Sequence, residues 1–434
     1  MDDSTYFNEE HLQVRDMVRE FARERVAPVA RDLDRRAEFP WENIKAMGEL
    51  GLLGVPWPEE LGGTGMDQVS YYVTIHELAK VDASHGLTVS AHTNLGTSPI
   101  VDFGTEAQRA QYVPLLASGQ VMGGFGLTEP GAGSDAGGTA TTAEDKGDHY
   151  VLNGSKVFIT HAGVGEIFSV TARTAPGTDH RGITSLILTK ETCDLEQCRA
   201  LGVGHAEGLP AIAGFRAGKK EEKMGWRASD TRELIFEDAI VPKENLLGEL
   251  HGGLAVFNTM MIPERLGTAA MTIGAARPAL EVATTYTSRR KAFGQVINRF
   301  QGVSFQIADA AMLLDASRAF VYSTCLAVQH EGASSRVRRL VSETKKFVTE
   351  SCQQVVHNAM QVMGGIGYTN VFPIERIHRD LRLASIWTGT NEVLAAIVSS
   401  EWYKEHAAAR RVNATRDLEL DALESGAVGE KIYE

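Results

Sequence analysis

The chain has 434 residues, 43% hydrophobic and 7% aromatic, an ordinary globular composition with room for two or three domains. Its formal charge of −13 and pI near 5.5 argue against nucleic acid or an anionic membrane as main partner, since both want a basic face. No apolar run approaches bilayer-spanning length and the first residues, MDDSTYFNEEH, are acidic and polar, so a cytoplasmic location without a membrane span is expected.

Residues 1–120 read as a helical domain. Val14, Met17, Val18 and Phe21 follow the i, i+3, i+4, i+7 pattern, Asn8 is placed to cap that helix, and Pro28 is expected beyond its end. PWENIKAMGELGLLG opens on Pro40, a good first-turn residue, and another helix runs past Tyr71, Ile75 and Leu78. From 121 to 241 short β-branched runs predict a β-domain. HYVLNGSKVFIT holds Asn153-Gly154 between apolar stretches, a hairpin signal, and EIFSVTART, GITSLILT and RELIFEDAIVP follow as strands. From 242 to 405 the helical period returns; Val303, Ile307, Ala310 and Leu314 step by four, three and four. The extension 406–434 is charged and weakly periodic, compatible with a docking helix or a loose tail. Helical, β and helical blocks in that order predict an α+β chain rather than an alternating doubly wound sheet.

Four cysteines make no disulfide framework. Cys193, Cys198 and His205 do not make a metal site either, because the gap is wrong and a fourth ligand is missing. LTEPGAGSD, Leu127 to Asp135, offers glycines for close backbone approach and hydroxyls for polar ligand edges, but it is neither G-x-G-x-x-G nor a Walker A loop. RRKAFGQ (289–295) suits a phosphate or diphosphate, since guanidinium bonds it in bidentate fashion. QVMGGIG (361–367) and WTGTNE (387–392) complete the set, and MIPERLG (261–267) places a carboxylate, Glu264, in a segment that otherwise reads as buried. A carboxylate is almost never fully buried unless paired, and Arg265, its neighbour at i+1, does not face it on a helix.

Together these motifs, in this order, resemble the acyl-CoA dehydrogenase flavoproteins over about residues 5–403. The resemblance implies an N-terminal helical domain, a middle β-barrel or sandwich and a C-terminal four-helix bundle, with FAD as cofactor and a homotetramer as assembly. It assigns Leu127, Thr128, Gly133 and Ser134 to the flavin side, with Ser134 also near the thioester arm, and Phe158 and Thr160 to the cover of the isoalloxazine. Arg290, Phe293 and Gln301, with Gln361, Gly364 and Gly365, match contacts that a neighbouring subunit makes with the diphosphate and adenosine. Thr390, Asn391 and Glu392 match a stretch touching the cofactor, and Arg265 matches an arginine that supports CoA binding.

Four departures stand out. His161 replaces the usual asparagine after IT; the stretch 190–218 is enlarged and expected as a loop; Pro263 is expected to kink its helix. Most telling, WTGT carries Thr388 where the common pattern Tyr-Glu-Gly-Thr has the catalytic glutamate. A subset of the family, including isovaleryl-CoA dehydrogenases, takes its base from the helix that here contains Glu264. The expected reaction is α,β-dehydrogenation of an acyl-CoA to the 2-enoyl-CoA. Glu264 takes the α-proton, the β-hydride goes to flavin N5, the Thr388 backbone N–H meets the thioester carbonyl, and an electron-transferring flavoprotein receives the electrons. An acyl group carried on a carrier protein, or a non-catalytic flavin-binding subunit, are the alternatives. The sequence leaves the acyl group open among branched, long-chain, alicyclic and aryl chains.

Overall fold

In the computed structural model, which describes residues 5–412 apart from 176 and 179, helix α1 (Glu9–Phe21) begins at Asn8. The Asn8 side chain accepts from His11 N–H and the His11 ring answers the Asn8 N–H, a reciprocal cap. Val14, Val18 and Phe21 are buried, as the spacing requires. Pro28 lies beyond α1, as expected, but does not stop the helical run. A π-helical turn, Ala22–Val26, leads into α2 (Ala27–Arg36), where Pro28 sits in the first turn and needs no N–H partner. The helices α3 (Trp41–Glu49), α4 (Gln68–Ala79) and α5 (Ala83–Ser90) follow; α5 runs into a π-helical segment, Ala91–Thr97, then α6 (Ser98–Phe103) and α7 (Glu106–Ala117).

The middle of the chain is one eight-stranded sheet. Its order is β6 (Phe215–Lys220), β7 (Thr231–Pro242), β3 (His149–Thr160), β2 (Thr142–Asp145), β4 (Ile167–Arg173), β5 (Ile183–Thr189) and β8 (Leu246–Leu247), with β1 (Gly123–Gly126) parallel to β4. Asn153-Gly154 is not a hairpin. β3 runs straight through it, paired along its length with β7, and only a register shift between Leu152 and Gly154 marks the pair. β3 does close a hairpin, but with β2 through residues 146–148 at its start, and a two-residue hairpin turn lies between β9 (Lys291–Ala292) and β10 (Gln295–Val296), where Phe293 (φ 48°) and Gly294 (φ 83°) both take the left-handed region that turn demands. The enlarged stretch is no bare loop. It forms α8 (Leu195–Leu201), docked on α3 through Trp41 Nε1 to Asp194 (2.9 Å) and Lys45 Nζ to the Leu201 carbonyl (3.0 Å).

The C-terminal bundle comprises α9 (Gly253–Arg289), α10 (Gln301–Glu331), α11 (Ser335–Met363) and α13 (Asn391–Val412), with α12 (Ile374–Leu383) laid against α11. Pro263 stays inside the continuous α9. Among the described residues one helix, α10, is long and apolar enough by length and composition to cross a membrane, contrary to the expectation from the linear sequence; it packs on α9 and α11. A single apolar core joins α1, α4, α5 and the bundle, so α9 touches both the N-terminal helices and its own partners. α13 carries the fold past Glu405 to Val412, and the remainder of the 406–434 extension lies outside the described residues.

Candidate active site

Glu264 lies in the first third of α9, facing α4, α5 and the π-helical segment, and is 1% exposed. Among the described residues no cation reaches it. Ser90 Oγ and Asn94 Nδ2 each donate to Oε2 at 3.2 Å, and among the described residues no donor reaches Oε1. Burial pushes its pKa from 4.5 up to about 7, against the lowering effect of Asn94 and Ser90. Arg265, the next residue, turns the other way and donates from Nε to the Thr388 carbonyl at 3.0 Å. The adjacent pair in MIPERLG is therefore not an ion pair.

Thr388 stands in the turn before α13 with φ 52°, followed by Gly389 at 90°. A threonine held there is strained by the surrounding structure, and two cations hold it. Arg265 takes the Thr388 carbonyl; Lys345 of α11, fully buried, donates to the Gly389 carbonyl at 2.9 Å and to Asn391 Oδ1 at 3.1 Å. Burial, then the Arg265 charge, pulls Lys345 down to about 7, and burial pulls Arg265 down to about 10. Among the described residues the Thr388 N–H has no acceptor and its buried Oγ1 has no partner. Thr390 caps α13 by accepting from Val393 N–H, and Glu392 is exposed on the first turn. The buried Asn391 side chain is bonded to Lys345, Thr349 and Glu350 inside the bundle.

The loop 127–134 is pinned beside β3. Lys156 Nζ donates to the Leu127 carbonyl and, at 2.6 Å, to the buried Glu129 carboxylate, while Val157 N–H donates to the Thr128 carbonyl. A register shift between Lys156 and Ile159 turns Phe158 (φ 59°) outward to 67% exposure, next to half-buried Thr160. Gly133 and Ser134 are exposed at the loop tip. Leu127 joins the apolar cluster of Met260 and Met261, which carries this loop to the turn of α9 preceding Glu264. His161 points inward instead; its Nδ1 pairs with the Gly123 carbonyl at 2.9 Å and burial lowers its pKa to about 4, so it is neutral and structural.

Arg290, Gln361, Gly364 and Gly365 line one groove of about 680 Å³ with Tyr286, Gln306 and Ile366. No atom lies within 4 Å of where a Cβ on Gly364 or Gly365 would sit, and Gly364 has φ 63°, so bare backbone faces the groove beside a guanidinium and an amide. That donor set fits the diphosphate and adenosine of a flavin dinucleotide. Phe293 (94% exposed) and exposed Gln301 lie outside the groove, on the hairpin tip and the first turn of α10. Among the described residues no cluster of three metal-ligating side chains exists; His205 pairs with Glu166 instead. Ser90, Asn94 and Lys345 were not singled out by motif. Ser90 and Asn94 carry only polarity within a segment of small and apolar residues as a signal, and Lys345, one of a lysine pair in SETKKFVTE, carries none.

Comparison with known proteins matches residues 8–120 to the acyl-CoA dehydrogenase N-terminal domain, 124–239 to its middle domain and 251–402 to its C-terminal domain. An acyl-CoA dehydrogenase of Bacillus subtilis is 40% identical over 91% of this chain and 98% of its own. Butyryl-CoA dehydrogenase from Megasphaera elsdenii superposes with a TM-score of 0.84 at 35% identity, covering 93% of this chain and all (100%) of its own. A chain from the structure of the electron transferring flavoprotein of Acidaminococcus fermentans gives 0.83 at 38% identity, over 92% of this chain and 98% of its own.

Proposed function

The chain belongs to the acyl-CoA dehydrogenase family and is an FAD-dependent acyl-CoA dehydrogenase, and from that premise we propose that Glu264 is the base that takes the substrate's α-proton. The observation that carries this reading is the isolation of its carboxyl: buried, without a cation, and poised by burial near pH 7. A general base works best with a pKa near the operating pH, and a structural carboxylate in that position would be paired.

Bound FAD supplies the two-electron acceptor for the β-hydride. Leu127, Thr128, Gly133, Ser134, Phe158 and Thr160 would hold its ring side, and the Arg290, Gln361, Gly364 and Gly365 groove of a neighbouring subunit its diphosphate and adenosine end. Glu264 Oε1 receives the α-proton as that C–H pair becomes the new C=C bond and the β-hydrogen departs with its electrons. The Thr388 N–H donates to the thioester oxygen, which stabilises charge developing towards the enolate. Arg265 and Lys345 do not touch the substrate; they fix the Thr388–Gly389 carbonyls and so aim that N–H. The contact is main-chain, so Thr388 serves where a side-chain carboxylate is absent.

Electrons pass onward to an electron-transferring flavoprotein, a reading supported by the likeness to the Acidaminococcus chain. Homotetramer assembly is supported by the outward apolar side chains of α10, Phe305 (59% exposed) and Met312 (63% exposed), and by Phe293. Anaerobic titration with straight, branched, alicyclic and aryl acyl-CoA esters tests the function. At least one must bleach the flavin, and oxygen alone must reoxidise it slowly. A flavin that no acyl-CoA bleaches would point to a carrier-protein thioester or a non-catalytic subunit.

A further inference from the structure

Glu264 is served by a pair of donors whose placement is more specific than packing requires. Ser90 ends α5 and Asn94 lies four residues on in the π-helical segment, so both side chains project from one face towards α9. They meet the same oxygen, Oε2, and among the described residues leave Oε1 without a donor. An independent feature makes the room. Gly267 sits one turn beyond Glu264 on α9, and a Cβ there would stand 2.7 Å from Ser90 Oγ and 3.3 Å from Asn94 Nδ2. Any side chain at 267 would displace the two donors, although a helix-interior glycine lowers stability relative to alanine.

We infer that Ser90, Asn94 and Gly267 are positioning residues that clamp Oε2 and present Oε1 as the atom that accepts the proton. This rests on Glu264 being the base. Neutral donors achieve what a cation could not: they favour the ionised form enough to keep it reachable near neutral pH without quenching its basicity in an ion pair. The other titratable groups facing the carboxyl do not compete. Tyr71 and Tyr72 of α4 are fully buried and pushed above 10, chiefly by burial, so they stay neutral. Arg265 on α9 turns to Thr388, and Lys345 on α11 turns to Gly389. The clamp also selects a face. With Oε2 held, proton transfer to Oε1 needs no rotation of the carboxyl, so orientation is supplied before substrate arrives.

The test is an infrared titration of the flavin-loaded enzyme, following the protonated carboxyl C=O band that disappears in Glu264→Gln. Ser90→Ala and Asn94→Leu should each move its midpoint up by about one pH unit, the scale of one hydrogen bond to a charged group. Ser90→Thr keeps the hydroxyl and should bring the midpoint back towards wild type, while Gly267→Ala should shift it upward with both donors still present. In parallel, flavin reduction by whichever acyl-CoA ester bleaches the wild type should fall about fivefold at pH 7 in each single-donor variant, with a smaller loss on the alkaline plateau. A merely structural role would lower both regions equally. A midpoint unmoved in Ser90→Ala, which changes least and retains its flavin, overturns the clamp. Glu264→Gln reducing its flavin at the wild-type rate would instead remove the base assignment, whatever the midpoint does.

Discussion

Replacing Glu264 with glutamine has a consequence for stability whose sign follows from the burial of the carboxyl. Its pKa rises from 4.5 to about 7 on folding, so the folded chain holds the proton more tightly than the unfolded one. The contribution of the neutral form is fully present below pH 4.5 and is lost as pH rises through 7. That rise corresponds to about 3 kcal/mol. Glutamine stays neutral and escapes the loss. Its amide nitrogen at the Oε1 position finds no acceptor, which lowers stability by a constant amount, so the pH-dependent part of the difference is diagnostic. Between pH 5 and pH 8 the melting temperature of Glu264→Gln should gain on wild type by about 3 °C, given the unfolding entropy of a chain this long. Scanning calorimetry of both flavin-loaded proteins across that range reads it. A difference flat with pH would mean the carboxyl is already ionised at pH 5 and would refute the claim that burial raises it.

Arg290→Ala should weaken flavin retention, read as the FAD-to-protein ratio after dialysis, with secondary structure intact. Arg265→Met removes the donor to the Thr388 carbonyl and should slow reduction about 5- to 150-fold, the effect of about 1–3 kcal/mol from an unsatisfied buried group; rapid-mixing absorbance measures it. Lys345→Met should lower activity at pH 6 more than its own folding yield, because the Gly389 carbonyl and Asn391 lose their donor. Thr388→Glu placed on Glu264→Gln should recover part of the lost reduction, with a changed chain-length preference across the acyl-CoA panel.

Much of this site was legible because its signals are local. The cap at Asn8, the period through Val14 and Phe21, and a carboxylate stranded among Met261, Leu266 and Ala269 need only neighbouring residues to be read. What was missed depends on contacts across long stretches of chain. Ser90 and Asn94 approach Glu264 from a helix more than one hundred residues away, and nothing in GLTVSAHTNLG marks them apart from polarity. Gly267 reads as a weak helix residue until its neighbours are known. Asn153-Gly154 was misread because a turn propensity of two residues loses to the pairing of a long strand with β7. Phe293-Gly294 carries the turn because β9 and β10 have no other partner to hold them straight.

The central claim is that Glu264, and not a residue of the Thr388 loop, takes the α-proton. The direct measurement is the anaerobic rate of flavin reduction in Glu264→Gln, mixed with the acyl-CoA ester that reduces wild type fastest. Flavin content and ligand affinity should stay near wild type while the rate falls ~100-fold or more, the usual contribution of a general base. Reduction at the wild-type rate would contradict the account and leave Glu264 a buried carboxyl held by Ser90 and Asn94 for packing alone.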